Sequence, residues 1–302
     1  MSRTQHWQTG LLFSLLTAAQ WGLAPVMLKA LQPTLGSSTI IWFRLVIPAV
    51  AVGSYFALLR RDLSWRPLLT PRNLLLLCIS IGGLLGNYIL FMLGLQHITA
   101  DASQVIGQLG PLLLLIGGVL IFKEPFSPLQ WLGLATAILG MALFFHVPLS
   151  KLHLDKYSLG LLWIVGASCV WGAFGLAQKA LSRDINPQQS LFIVYLVGTF
   201  VYLPGADFHR VTDLDALGVA MLIWLAMTTA LAYVTLSAAM AYWDAARVSA
   251  IITTTPLFAI TFTAAMAHWL PGQMHSAELD WLSSLGAMLL VAGSGIAAIA
   301  RR

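Results

Sequence analysis

Residues 20–31 read QWGLAPVMLKAL and residues 170–181 read VWGAFGLAQKAL. Each stretch opens on a Trp-Gly pair, Trp21-Gly22 and Trp171-Gly172. Each closes on Lys-Ala-Leu, Lys29-Ala30-Leu31 and Lys179-Ala180-Leu181, at a constant offset of 150. A second set of matches lies at an offset of 145: Tyr88 with Tyr233, Gln104 with Ser249, Gln108 with Thr253, and Pro111-Leu112 with Pro256-Leu257. A glycine pair seven apart, Gly133 and Gly140, recurs as Gly286 and Gly293. Three matches in the same order point to an internal duplication, residues 1–150 followed by residues 151–302.

The material duplicated is membrane-embedded. Of 302 residues, 59% are hydrophobic and 9% charged, where a soluble domain carries about 25% charged residues. Apolar runs between Pro, Gly and charge clusters predict spans at 8–31, 37–59, 73–95, 101–121 and 129–147, then at 157–181, 188–205, 216–240, 246–270 and 281–300. At roughly 20 residues per span, ten spans leave only short connections, so an attached ATPase, kinase or DNA-binding domain has no room. Long apolar runs also exclude an outer-membrane barrel, whose segments are short and alternating. The first run continues past Trp21 and Pro25 to Leu31 without a small-residue cleavage site, and reads as a retained span. Cys78 and Cys169 lie in apolar runs and read as small hydrophobes.

Lys and Arg set the expected orientation. With the N-terminus inside, Arg3, Arg60, Arg61, Arg66, Arg72, Lys123, Arg183, Arg247, Arg301 and Arg302 share the cytoplasmic side, against Lys151, Lys156 and Arg210 opposite. Both termini are thus expected in the cytoplasm. The net charge of +5 reflects this topology and calls for no nucleic-acid partner. Five spans per copy is an odd number, so the second copy enters from the opposite face. The expected fold is all-α: about ten transmembrane helices in two inverted five-helix repeats. Inverted repeats place a solute site near the midplane, between halves that rock to alternate access.

The chain resembles the drug/metabolite transporter superfamily, in its EamA-like members. The residues that carry the resemblance are Trp21-Gly22, Arg44 in the second span, the Pro111 span, and Phe122-Lys123-Glu124 before Gln130-Trp131-Leu132-Gly133. The resemblance implies export or exchange of small metabolites, often amino acids or related compounds, across the inner membrane, with efflux the leading direction. One departure is that the position matching Glu124, counted from the proline, is Trp269, which leaves no symmetric acidic pair.

Polar groups at membrane depth turn toward a cavity or a partner helix. Gln20, Trp21, Asn87, Tyr88, Gln104, Gln108, Trp171, Tyr233, Ser249 and Thr253 lie mid-span or at matched positions. Together they are expected to line one solute chamber. Interhelical glue is the alternative for the amides, core packing for the aromatics, and back-bonding for Thr228 and Thr229. Lys29 and Lys179 lie near opposite membrane faces, as snorkelling residues or as gates. Arg44 is deeper, about a turn and a half into its span. Pro25, Pro111 and Pro256 interrupt spans as candidate hinges. No Asp or Glu lies mid-span, so facilitated diffusion or exchange stands beside proton antiport. The sequence contains no HExxH or GxSxG motif and calls for no enzyme activity, cofactor or metal. The rival readings are a nucleotide-sugar or lipid carrier on the same fold, or a channel; the chain is expected to work as a monomer or homodimer.

Overall fold

The computed structural model describes residues 3–58, 66–123, 127–144, 146, 156–242, 248, 251–252, 254–269 and 280–299. Eleven α-helices form from these: α1 (Arg3–Leu35), α2 (Ser37–Leu58), α3 (Pro71–Leu95), α4 (Ala100–Gly107), α5 (Leu109–Phe122), α6 (Pro128–Phe144), α7 (Lys156–Leu181), α8 (Pro187–Tyr202), α9 (Ala216–Tyr242), α10 (Thr255–Trp269) and α11 (Trp281–Ile299). Helix is the form expected of apolar segments in lipid, because it satisfies every backbone N–H and C=O within the segment. The ends follow local chemistry. Thr70 and Asn186 cap α3 and α8, accepting from the Asn73 and Gln188 amides, each with proline at the first helical position. Ser127 and Gln130 exchange side-chain-to-backbone hydrogen bonds as a capping box at the start of α6. Gly36, at φ +73°, makes the sharp turn from α1 into α2.

Six segments are long and apolar enough to cross a membrane, and α6 and α11 are shorter apolar helices. One of the six is the joined segment Ala100–Phe122, whose expected single helix turns at Gln108 into α4 and α5. Together with α8 and α10 this gives ten helical segments among the described residues, matching the expected ten-helix plan. Pro111 and Pro256 sit in the first turn after the interruption, as the third residue of α5 and the second of α10. The missing N–H therefore falls where a helix needs none. The interruption is real, but it precedes the prolines rather than occurring at them.

The repeat is visible in the helix starts: α2 and α8 begin at Ser37 and Pro187, α3 and α9 at Pro71 and Ala216, α6 and α11 at Pro128 and Trp281. It is also visible in the packing. The most extensive contacts join α6 to α11, α3 to α7, α1 to α9 and α2 to α8. Exchanging the halves maps this set onto itself, and every pair joins one half to the other.

Two mate pairs fix the relative direction. On α6 and α11, a Cβ added at Gly133 would fall on the backbone around Gly293 and Ala297, and one at Gly140 on that of Gly286 and Leu290. On α2 and α8, Gly53 faces Phe192 and Gly198 faces Leu45. In both pairs the index rises on one helix as it falls on the other, so repeat mates run antiparallel and the repeat is inverted. The two glycine pairs that match between the halves meet each other inside one chain.

Candidate functional site

A cavity of about 230 Å³ lies where α1, α2, α3, the α4–α5 turn, α7, α9 and the start of α10 converge. Its wall is aromatic on two sides. Trp21 from α1 and its mate Trp171 from α7 both line it, with Tyr88 and Phe91 from α3. The glycine after each tryptophan serves a neighbouring wall: a Cβ on Gly22 would meet the α10 backbone at Thr255 and Ala259, and one on Gly172 would meet Leu113 of α5. The Trp-Gly pair thus supplies a ring to the cavity and lets the second segment of an interrupted span lie against the same helix. Gly110, at the start of α5, lies against the Trp171 side chain, where a Cβ would fall 2.9 Å from the ring.

The polar lining comes from the turn and from α9. Gln104, Gly107 and Gln108 enter where α4 gives way to α5, and Thr228, Thr229, Ser168 and Thr255 complete it. Thr228 donates to the Leu225 carbonyl and Ser168 to the Ile164 carbonyl, at 2.8 and 2.9 Å, so both hydroxyls back-bond to their own helices while facing the cavity.

Arg44 is the cationic side chain among the described lining residues, and that lining contains no Asp or Glu. Its guanidinium carbon lies 4.3 Å from the centroid of the Tyr88 ring, and its Nε donates to Thr229 Oγ1 at 3.4 Å. A cation–π contact and one long hydrogen bond hold the guanidinium at the cavity wall.

The remaining expected site residues divide. Trp21, Tyr88, Gln104, Gln108, Trp171, Arg44, Pro25 and Pro111 line the cavity. Asn87 lines it too, but its Nδ2 donates to the Ala167 carbonyl at 3.0 Å, tying α3 to α7. Gln20 is turned away; its Nε2 donates to Leu16 O and to Thr235 Oγ1 in the α1–α9 seam. One residue's rotation on a helix, about 100°, separates it from Trp21. Lys29 is also outside the cavity: its ammonium caps α3, donating to the carbonyls of Leu95 and Ile98, groups a helix end leaves unsatisfied. Lys179 lies 4.9 Å from the Phe122 ring centroid, and Pro256 is buried away from the lining. Ser249, Thr253 and Glu124 fall outside the described residues, as does the side chain of Tyr233. The sequence reading did not place Phe91, Leu28, Ile252 or Thr255 in the lining; their apolar type or proximity to a proline gives no polar signal to follow.

The signature of the EamA-like transporter family matches this chain twice, over residues 8–146 and 158–298. The chain belongs to that family. This EamA-like chain is 36% identical over 295 residues to an uncharacterized inner membrane transporter of Escherichia coli (strain K12), YhbE, covering 97% of this chain and 92% of that one. It is 34% identical to an uncharacterized transporter of Haemophilus influenzae, covering 97% and 95%. A solved crystal structure shares the fold, with a TM-score of 0.62 at 16% identity, over 95% of this chain and 96% of that one. The EamA-like chain is thus a multi-pass transporter of the bacterial inner membrane.

Proposed function

We propose that this transporter carries a small organic solute bearing one negative group, most simply a carboxylate, by alternating access around the central cavity. The observation that carries this reading is Arg44: a guanidinium on the wall of an aromatic chamber whose described lining holds no acid. A half-buried cation is stabilised by a counter-charge, and a planar guanidinium fits a carboxylate with two parallel hydrogen bonds. Trp21 and Trp171 would hold the apolar body of the solute, and Gln104, Gln108 and Thr229 its remaining polar groups. Amino acids and related metabolites belong to this class, and efflux is the direction that the family resemblance implies. A chamber of 230 Å³ lies below the roughly 300–1,000 Å³ of drug-sized sites, which favours a metabolite over a nucleotide sugar or a lipid.

The same reading takes residues 1–150 and 151–302 as the repeat units, with both termini cytoplasmic. Arg72, Arg183 and Lys123 meet on one face of the bundle, as expected of cations retained on one side.

The test is thermal stabilisation of the purified protein by a panel of small carboxylates, amino acids included, each beside its amide. Binding raises the melting temperature by mass action. Carboxylates are expected to stabilise the wild type, their amides far less, and Arg44→Gln to remove the difference. Equal stabilisation by acid and amide would overturn the proposal. Uptake into vesicles should saturate with solute concentration, whereas a channel would show single-channel currents.

A further inference from the structure

A second concavity, about 590 Å³, lies between α3, α5 and α7, on the bundle's outer surface. Its floor is Ala173, Ala177 and Ala180, one face of α7; its walls are Leu76 and Ile79 of α3 and Ile121 and Phe122 of α5. Ile79 and Ile121 are exposed. The apolar groove ends in cations. Arg72, Lys123 and Arg183 stand at its mouth, and Arg183 stacks 5.1 Å from the Phe122 ring centroid. Asp184 is a neighbouring acid, and it is paired with Arg72 at 3.0 Å.

Two further observations separate this groove from ordinary lipid-facing surface. Lys123 caps α5 in the left-handed conformation, at φ 54°, and is the non-glycine residue with positive φ among those described. Glycine suits such a cap far better, so a lysine held there points to a use for its side chain. The repeat supplies the second observation. At the offsets that align the halves, Arg72, Lys123 and Arg183 correspond to Leu217, His268 and Pro33, and Phe122 to Ala267. The scaffold is duplicated without the cationic mouth, so the scaffold does not require it.

We propose that this groove binds an anionic phospholipid of the surrounding bilayer. The phosphodiester lies among Arg72, Lys123 and Arg183, and one acyl chain runs over the alanine floor between Ile79 and Ile121. Basic pockets between membrane helices recognise lipid headgroups through this combination of charge and depth. A free phosphate or glycerol phosphate would satisfy the mouth and leave the apolar walls unmatched. The inference is independent of the solute reading.

The experiment titrates dioleoyl-phosphatidylglycerol into the purified full-length protein held in phosphatidylcholine nanodiscs. Melting temperature and retained lipid, by native mass spectrometry, are the readouts. Phosphatidylglycerol should stabilise the wild type and remain bound. The combined Lys123→Gln and Arg183→Gln variant should bind it about thirtyfold more weakly. Ala173→Trp, which fills the floor and keeps the cations, should also weaken retention. Arg44→Gln should bind the lipid as wild type does, keeping the two sites distinguishable. The melting temperatures of the variants in phosphatidylcholine alone report whether they fold. Wild-type retention of phosphatidylglycerol by the folded charge variant would overturn the proposal. So would stabilisation reproduced by glycerol 3-phosphate, or equal retention of a zwitterionic lipid.

Discussion

Arg44 and Val194 occupy matching positions in the second span of each repeat, 150 residues apart. One guanidinium faces the central cavity, while its mate is a fully buried core residue. The groove shows the same divergence, with Arg72, Lys123 and Arg183 against Leu217, His268 and Pro33. The glycine seam of α6 and α11, by contrast, is alike from either side. The glycine seam that sets how these backbones approach is shared by the halves, while the cavity's arginine and the groove's cations have no cationic Lys or Arg mates. Duplication supplied the architecture, and a few substitutions at matched positions supplied the chemistry.

The largest expected effect breaks the charge asymmetry. Arg44→Gln should weaken binding of a stabilising carboxylate about ten- to a hundredfold, the range for losing a charged hydrogen-bonding partner, as read from the concentration dependence of the melting temperature.

The shared seam gives the next test. Gly140→Ala and Gly286→Ala each place a Cβ on the opposing helix backbone, and each should cost about 1–3 kcal/mol in thermal or denaturant unfolding. The two costs should be close, as the seam is symmetric. Gly82→Ala, with nothing within 4 Å of the added carbon, should be neutral or stabilising, because alanine is the better helix former.

The Trp-Gly pairs sharpen the comparison where the halves agree less well. An added Cβ on Gly22 would lie 2.9 Å from the Thr255 carbonyl oxygen and 3.0 Å from the Ala259 nitrogen, whereas on Gly172 the nearest atom is the Leu113 side chain at 3.1 Å. The contacts at Gly22 are the closer, with the Phe258 Cβ at 2.6 Å as well, so Gly22→Ala should lower stability by more than Gly172→Ala, about 1–3 kcal/mol against about 1 or less.

The smallest effect is at Asp280, just before α11. It accepts from the Ser283 amide at 2.8 Å and pairs with His146 at 3.2 Å. These contacts, the Ser283 backbone hydrogen bond foremost, hold its carboxyl below the ordinary carboxylate range. A depressed folded value stabilises the protein above the ordinary range and is lost as pH falls through it. Asp280→Asn should therefore lower the melting temperature slightly at neutral pH, and the difference should vanish in acid.

The span pattern and the inverted repeat could be read from the sequence because long apolar runs and the Trp-Gly pairs are local signals. The interruption at Gln108 was misplaced onto Pro111, since proline advertises a break while Gln108 lies in an otherwise continuous apolar run. Trp21, Tyr88 and Trp171 were legible as cavity residues from their depth, and Gln104 and Gln108 from their shared face and matched positions in the repeat. Gln20 was not separable from Trp21, because which face of α1 meets α9 is a property of packing. Thr229 as the acceptor for Arg44 pairs residues 185 apart, a relation that no local pattern records. Thr228 shows that a back-bonded hydroxyl can line a cavity as well, so the two readings were never exclusive.

The packing also bears on what moves. Each of the four broadest helix pairings draws one member from either copy, and the Asn87 amide stitches α3 to α7. Under the proposed alternating access, bodies that swing past one another would therefore be mixed, each assembled from pieces of both copies. If the polypeptide were severed between α6 and α7, neither fragment would have its main neighbours. Co-expression, with each fragment completing the other, is the condition under which a split version should still reach the membrane folded.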